Sequence, residues 1–323
     1  MTKARENSDY TGLAADIVAG DTAARAGRKN LILNGSMQIS QRGDYTSATT
    51  MSNGSYYQDR WTAVIGVTTS TQTKSTDQPN GQVGKSIRVL ASSASSTHQC
   101  AIDQRVENPE WLAGRTLTFS VWMKSNTNQA SLGHYNNQDS FANHVSHSGG
   151  GVWEKLTLTH TVNTAAPTDF RMRIGMSQSG NATIASGDYF EVTEAQLELG
   201  SVATDFEHRS YGEELALCQR YFWRTTGSDY AGIGSGHVKT AITLRVVIPN
   251  PVEMRTNGSL SISGTLRANT ADTTIDITQL QAAWTGKVSS MVEFTQSGLT
   301  SGYGVILHHQ NNTSNYLQVD AEL

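Results

Sequence analysis

The sequence predicts an all-β protein: an N-terminal arm, a jelly-roll β-sandwich, a short linking helix, and a second, smaller β-sandwich at the C-terminus. Three observations carry this. The composition is polar and glycine-rich: of 323 residues, 37% are hydrophobic, 16% are charged and 29 are Gly, which suits many short strands with wet outer faces. Apolar residues recur at every second position in most segments, the period of a strand with one buried face. Clusters of Gly, Asn and Ser interrupt these segments at turn-like intervals.

Residues 1–29 are a polar, alanine-rich leader in which Leu13 and Ile17 are the main apolar anchors. So little apolar surface cannot hold a core, so the segment is expected to be an arm that orders on a partner, or a disordered tail. Residues 30–209 read as the first sandwich. KSIRVLAS (85–92) is one strand; TFSVWMKS (118–125) sets Phe119, Val121 and Met123 on one face and Trp122 on the other. WEKLTLTHTV (153–162) aligns Leu156, Leu158 and His160, and FRMRIGMS (170–177) aligns Phe170, Met172, Ile174 and Met176 against Arg171 and Arg173. YFEVTEAQLEL (189–199) alternates likewise, which puts Glu194 and Glu198 on one face and Glu191 on the other.

Residues 210–223 predict the helix. Ser210 is placed to cap it, with Glu213 completing a capping box, and Leu215, Cys218 and Phe222 form a stripe that needs a surface to pack on. Residues 224–323 return to strands at hairpin spacing, among them SLSISGTLRA (259–268), SMVEFTQS (290–297), GYGVILHH (302–309) and NYLQVDAEL (315–323).

Composition and motif content exclude several functions. Lys and Arg number 24 against 28 Asp and Glu, a net charge of −4, which does not fit a phosphate-neutralising surface. No apolar run approaches the ~20 residues of a membrane span, and the first residues lack a signal-peptide pattern. Cys100 and Cys218 are expected as buried thiols in a reducing compartment. No phosphate loop, nucleophile elbow or zinc-type cluster occurs, so no cofactor, metal or catalytic residue is expected. His134, His144 and His147 fall in a segment (133–151) that reads as a loop or broken hairpin with its histidines in solvent, and His308 and His309 as opposite faces of one strand. Trp61, Trp111, Trp122 and Trp153 read as core. The aromatic residues set among Gly, Ser, Asn and Gln are the candidates for ligand contact: Tyr135, Tyr230, Trp284 and Tyr303.

RKNLILNGSMQISQRG (28–43), YQDRW (57–61) and EAQLELGSVATDFEHRSYGEELALCQRYFW (194–223) together resemble tail-fibre and related appendage proteins of tailed bacteriophages. The order of segments, with LAGRTLTFS (112–120) leading into a central strand, resembles carbohydrate-binding jelly rolls. The resemblance implies a non-catalytic virion appendage, made in the host cytoplasm, that attaches the particle to a host-surface glycan or protein. It further implies an arm docked on other tail or capsid proteins and a homotrimer. Chain order puts residues 224–323 last, so they are expected to form the tip, with Trp284 and Tyr303, set in turn-like segments, as its contacts with the host. Sandwiches of this kind often hold a structural calcium near the closing strand, where Glu194 would be the ligand. Two alternatives stay open: a purely structural virion component, and a glycan depolymerase, which needs a carboxylate pair.

Overall fold

The computed structural model describes residues 28–66, 69–79, 84–96, 99–137, 143–177, 183–225, 230–310, 312 and 314–323. Leu13 and Ile17 of the arm lie outside the described residues. The chain divides into two compact units, Met1–Arg209 and Ser210–Leu323, each with its own hydrophobic core. The secondary structure is nearly all β.

The first unit holds β1 (Thr49–Thr50), β2 (Thr62–Ile65), β3 (Ser70–Ser75), β4 (Ser86–Ala91), β5 (Cys100–Arg105), β6 (Thr116–Ser125), β7 (Ala130–Asn136), β8 (His144–Ser146), β9 (Trp153–Thr161), β10 (Phe170–Met176) and β11 (Tyr189–Leu199). They form an antiparallel six-stranded sheet, β1-β3-β4-β11-β6-β9, and an antiparallel five-stranded sheet, β2-β5-β10-β7-β8. Phe119, Val121 and Met123 of the first sheet and Phe170, Met172 and Ile174 of the second are fully buried in one core, as strand alternation requires.

Two expectations about this unit are corrected. First, β11 carries a bulge: its pairing with β6 jumps between Thr193↔Trp122 and Gln196↔Ser120, and Glu194 has φ 53°. The extra residue resets the alternation, so Glu191 and Glu198 share the outward face with Thr193 and Gln196, and Glu194 stands at the bulge itself. Simple period-two counting cannot see an inserted residue. Second, two of the three histidines expected in solvent are buried, in a segment whose β7 pairs with β8 as a hairpin. His134 points into the core, stacked on Phe119 and Phe170 with centroids 5.6 and 5.9 Å away and with the His160 ring at 3.9 Å. His147 accepts from the Gly149 N–H (2.9 Å) and donates through Nε2 to the Val152 carbonyl (3.0 Å). His144 is exposed.

The second unit opens with α1 (Tyr211–Gln219), whose N-cap Ser210 accepts from the Glu213 N–H. Its strands are β12 (Phe222–Arg224), β13 (Gly232–Thr240), β14 (Thr243–Pro249), β15 (Ser259–Ser263), β16 (Leu266–Asn269), β17 (Thr274–Ile277), β18 (Ala282–Thr285), β19 (Ser289–Thr295), β20 (Gly304–His308) and β21 (Tyr316–Asp320). A three-stranded sheet, β12-β21-β15, faces a seven-stranded sheet, β17-β16-β20-β13-β14-β19-β18, across a shared core.

Here too the structure corrects the reading. The helix ends before Phe222, which belongs to β12 opposite Asp320; Phe222 and Cys218 are fully buried, while Leu215 is half-buried. SLSISGTLRA is two strands in different sheets, β15 and β16, broken at Gly264 with φ 68°. Glycine-rich β13 was not legible as a strand; a Cβ at Gly236 would collide with the Arg245 carbonyl of β14, so these glycines are what lets the strands approach. Trp284 lies in edge strand β18, not in a turn, because AAWT pairs with Ser290–Glu293 of β19.

Candidate ligand-binding face

The outward face of the five-stranded sheet gathers charge. Pairing places Arg105, Arg171 and Tyr135 in one row across β5, β10 and β7, and Asp103, Arg173 and Gly133 in the next. The same alternation that sends Phe170, Met172 and Ile174 inward sends the two β10 arginines outward.

Arg173 grips Asp103 with a fork, Nε to Oδ1 and Nη2 to Oδ2, both 2.6 Å, and its Nη1 donates to Gln99 Oε1 at 2.9 Å. Asp103 and Arg173 are buried although they point away from the sandwich core. Arg171 Nε donates to both oxygens of Asp169 at 2.9 Å, with Nη2 adding a further bond, and Arg171 Nη1 lies 3.5 Å from Asp103 Oδ2. The guanidinium sits 4.9 Å from the Tyr135 ring centroid. Burial opposes the charge of Arg171, but the Asp169 bonds and the charges of Asp169 and Asp103 outweigh it and hold its pKa above the ordinary value. Arg105 closes the series, its Nε 3.5 Å from Asp169 Oδ1 and its side chain 40% exposed. Planar donors and acceptors beside an aromatic ring are the groups that engage sugar hydroxyls and sugar faces. Tyr135 therefore belongs to a strand and a charged row, and was not expected there.

The other candidates are dispersed. Tyr303 is partly buried against the second core. Tyr230 is exposed at φ 57°, its ring 6.1 Å from that of His308. His308 and His309 are both buried, and burial pushes the His309 pKa down. Trp284 is 50% exposed and begins an outward row that register extends through Met291, Val247 and Ser235 to Ile306. Val247 and Ile306 are exposed as well, so this row is apolar where the row on the first unit is ionic.

Desolvation raises the Glu194 pKa, against the charges of His208 and Lys155. Among the described residues, no group of three or more His, Cys, Asp or Glu is placed to hold a metal ion. Glu191 accepts from the Ser86 hydroxyl (2.7 Å), and Glu198 accepts from Gln196 and from the Thr204 N–H and hydroxyl.

The signature segments do structural work. Asn30 Oδ1 accepts from the Ile32 and Leu197 N–H groups, and its Nδ2 donates to the Ala195 carbonyl. Arg209 donates to the Asn30 and Ile32 carbonyls, and the Asn30 N–H donates to Glu207. Ala195 N–H donates to the Gly35 carbonyl, and a Cβ at Gly35 would strike the Ala195 oxygen. Asn34 bonds Ile39 and Asp59 through its side chain, and Asp59 accepts from Gln41. The motifs at the two ends of the first sandwich thus tie the beginning of the described chain to its closing strand.

No protein-family model matches the chain, and no curated protein matches it. Solved structures share parts of the architecture. The enzymatically active domain of bacteriophage CBA120 tailspike protein 4 aligns at 16% identity and TM-score 0.35, over 53% of this chain and 21% of that one; the match spans about a fifth of the tailspike chain. TmCBM61 in complex with beta-1,4-galactotriose aligns at 11% identity and TM-score 0.33, over 54% of this chain and all of that one. The N-terminal CBM22-1-CBM22-2 tandem domain of Paenibacillus barcinonensis Xyn10C aligns at 10% identity and TM-score 0.30, over 86% and 97%. At these TM-scores the likenesses bear on neither ligand nor partner.

Proposed function

We propose that the protein is a non-catalytic, glycan-binding bacteriophage appendage, and that the outward face of the five-stranded sheet makes the contact. The observation that carries the reading is the row Arg105–Arg171–Tyr135, a ring and planar donors set on rigid strands. Tyr303 is packed on its own core and Trp284 stands among apolar neighbours, so the reading moves from the tip to the sandwich. The virion setting follows from the signature segments alone. Purified protein should compete with phage particles for adsorption to host cells, and Tyr135→Ala should lose that competition while melting normally. Normal competition by the variant removes the face from recognition; no competition by the unsubstituted protein favours the purely structural reading.

Catalysis is not part of the proposal. A glycosidase needs one carboxyl held protonated across the sugar from a second, and the desolvated carboxyl, Glu194, sits on β11 of the other sheet. Release of new reducing ends from host polysaccharide would restore the depolymerase reading. The appendage is proposed to be a homotrimer, and the exposed apolar row of Trp284, Val247 and Ile306 is a surface that such an assembly would cover. Sedimentation at micromolar concentration tests this: a stable 34.9 kDa species is the contrary result.

A further inference from the structure

We propose that the ligand of this face is an anionic saccharide, a sugar bearing a carboxylate or a sulfate ester, with Arg105 as the group that holds the charge. The inference rests on the glycan-binding reading above and adds the chemical class of the ligand.

Three guanidiniums meet two carboxylates on this face, leaving one positive charge in excess. Arg173 is spent on Asp103 and Gln99. Arg171 is spent on Asp169, with Tyr135 at its flank. Both Asp169 oxygens accept from Arg171, and Arg105 meets the carboxylate only as a longer ion pair. The Arg105–Asp169 distance of 3.5 Å exceeds the about 2.7–2.9 Å of a charge-assisted hydrogen bond. Glu107, two residues on, has a partner of its own. Arg105 is therefore the least compensated and most exposed cation of the set, presenting a planar fork of the shape that carboxylate and sulfate oxygens accept.

Position supports the same conclusion. Arg105 and Tyr135 flank Arg171 on either side, two strand spacings apart, roughly 10 Å. A saccharide lying across β5, β10 and β7 places a ring face on Tyr135 and its anionic group on Arg105. The backbone at Arg105 is fixed by Arg60, whose Nη2 donates to the Arg105 carbonyl at 3.1 Å.

The test uses the full chain in affinity electrophoresis against alginate and polygalacturonate (carboxylates), carrageenan (a sulfate ester), and neutral dextran and galactan. At least one anionic polymer should be retained at least about tenfold more strongly than the neutral ones, and the preference should shrink in about 0.5 M salt. Arg105→Gln should reduce retention on the anionic polymer to the neutral level without changing the melting temperature; Arg105→Lys should keep part of it. Which anionic polymer binds separates carboxylate from sulfate. Equal retention on neutral polymers, unchanged in Arg105→Gln, overturns the anionic inference and leaves the glycan reading standing. Retention on none of the five overturns both.

Discussion

At the scale of single residues, the first unit depends on polar groups whose partners are fixed. Asp103 and Arg173 are buried and joined by two bonds of 2.6 Å, so removing one leaves the other charge without its partner in a desolvated place. Asp103→Ala should destabilise the protein by roughly 3–5 kcal/mol, measured by chemical denaturation; a loss under about 1 kcal/mol would mean that the pair behaves as a surface contact. Cys100 is fully buried and its thiol is pushed up to about 12 by burial. The native protein should therefore resist alkylation at Cys100 at pH values where a free cysteine, near about 8.5, reacts. Its stabilising preference for the neutral thiol is present below the unfolded value and lost as pH rises through the folded one. Rapid labelling without unfolding is the contrary result.

At the scale of elements, the informative features are the places where a strand breaks its own pattern. Glu194 holds a left-handed backbone at the β11 bulge, where a non-glycine residue is strained, and desolvation raises its pKa. Glu194→Gly should be neutral or stabilising, by up to about 1 kcal/mol, in denaturant titrations; a large loss would show that the side chain contributes contacts that outweigh the strain. In the second unit, Arg245 of β14 lies directly opposite Glu293 of β19. Lys239 and Arg245 both donate to Glu293 and hold its pKa below the ordinary value. That contribution is present above the unfolded value, about 4.3, and is lost as pH falls through the lower folded value. The gap in melting temperature between the unsubstituted protein and Glu293→Gln should therefore close in acid. A gap that does not narrow as the pH falls would exclude the charge as its cause.

At the scale of the molecule, the seam lies between Arg209 and Ser210. Arg209 is bonded back to Asn30 and Ile32, while Ser210 caps α1; adjacent residues serve different units. The first unit has a complete core and carries both ends of its own closure, so residues 28–209 alone should give a cooperative melt with a β-type circular dichroism spectrum. An unfolded fragment would mean that the first sandwich needs residues beyond 209.

Period-two alternation in segments such as 118–125 and 170–177 was enough to place those strands and their buried faces, because a strand with one face in a core must alternate. The cap at Ser210 was legible for a similar reason: it is decided by residues three apart. The candidate face was not legible. Arg105, Tyr135 and Arg171 are far apart in the chain, and only the register of β5, β10 and β7 makes them neighbours. The bulge at Glu194, the division of 259–268 between two sheets and the inward turn of His134 were hidden likewise, because each is settled by which strand lies alongside. Residue order determined the all-β class and the faces of the strands that alternate without interruption. Tertiary pairing alone decided which charges meet, which are satisfied, and that Arg105 is left facing solvent.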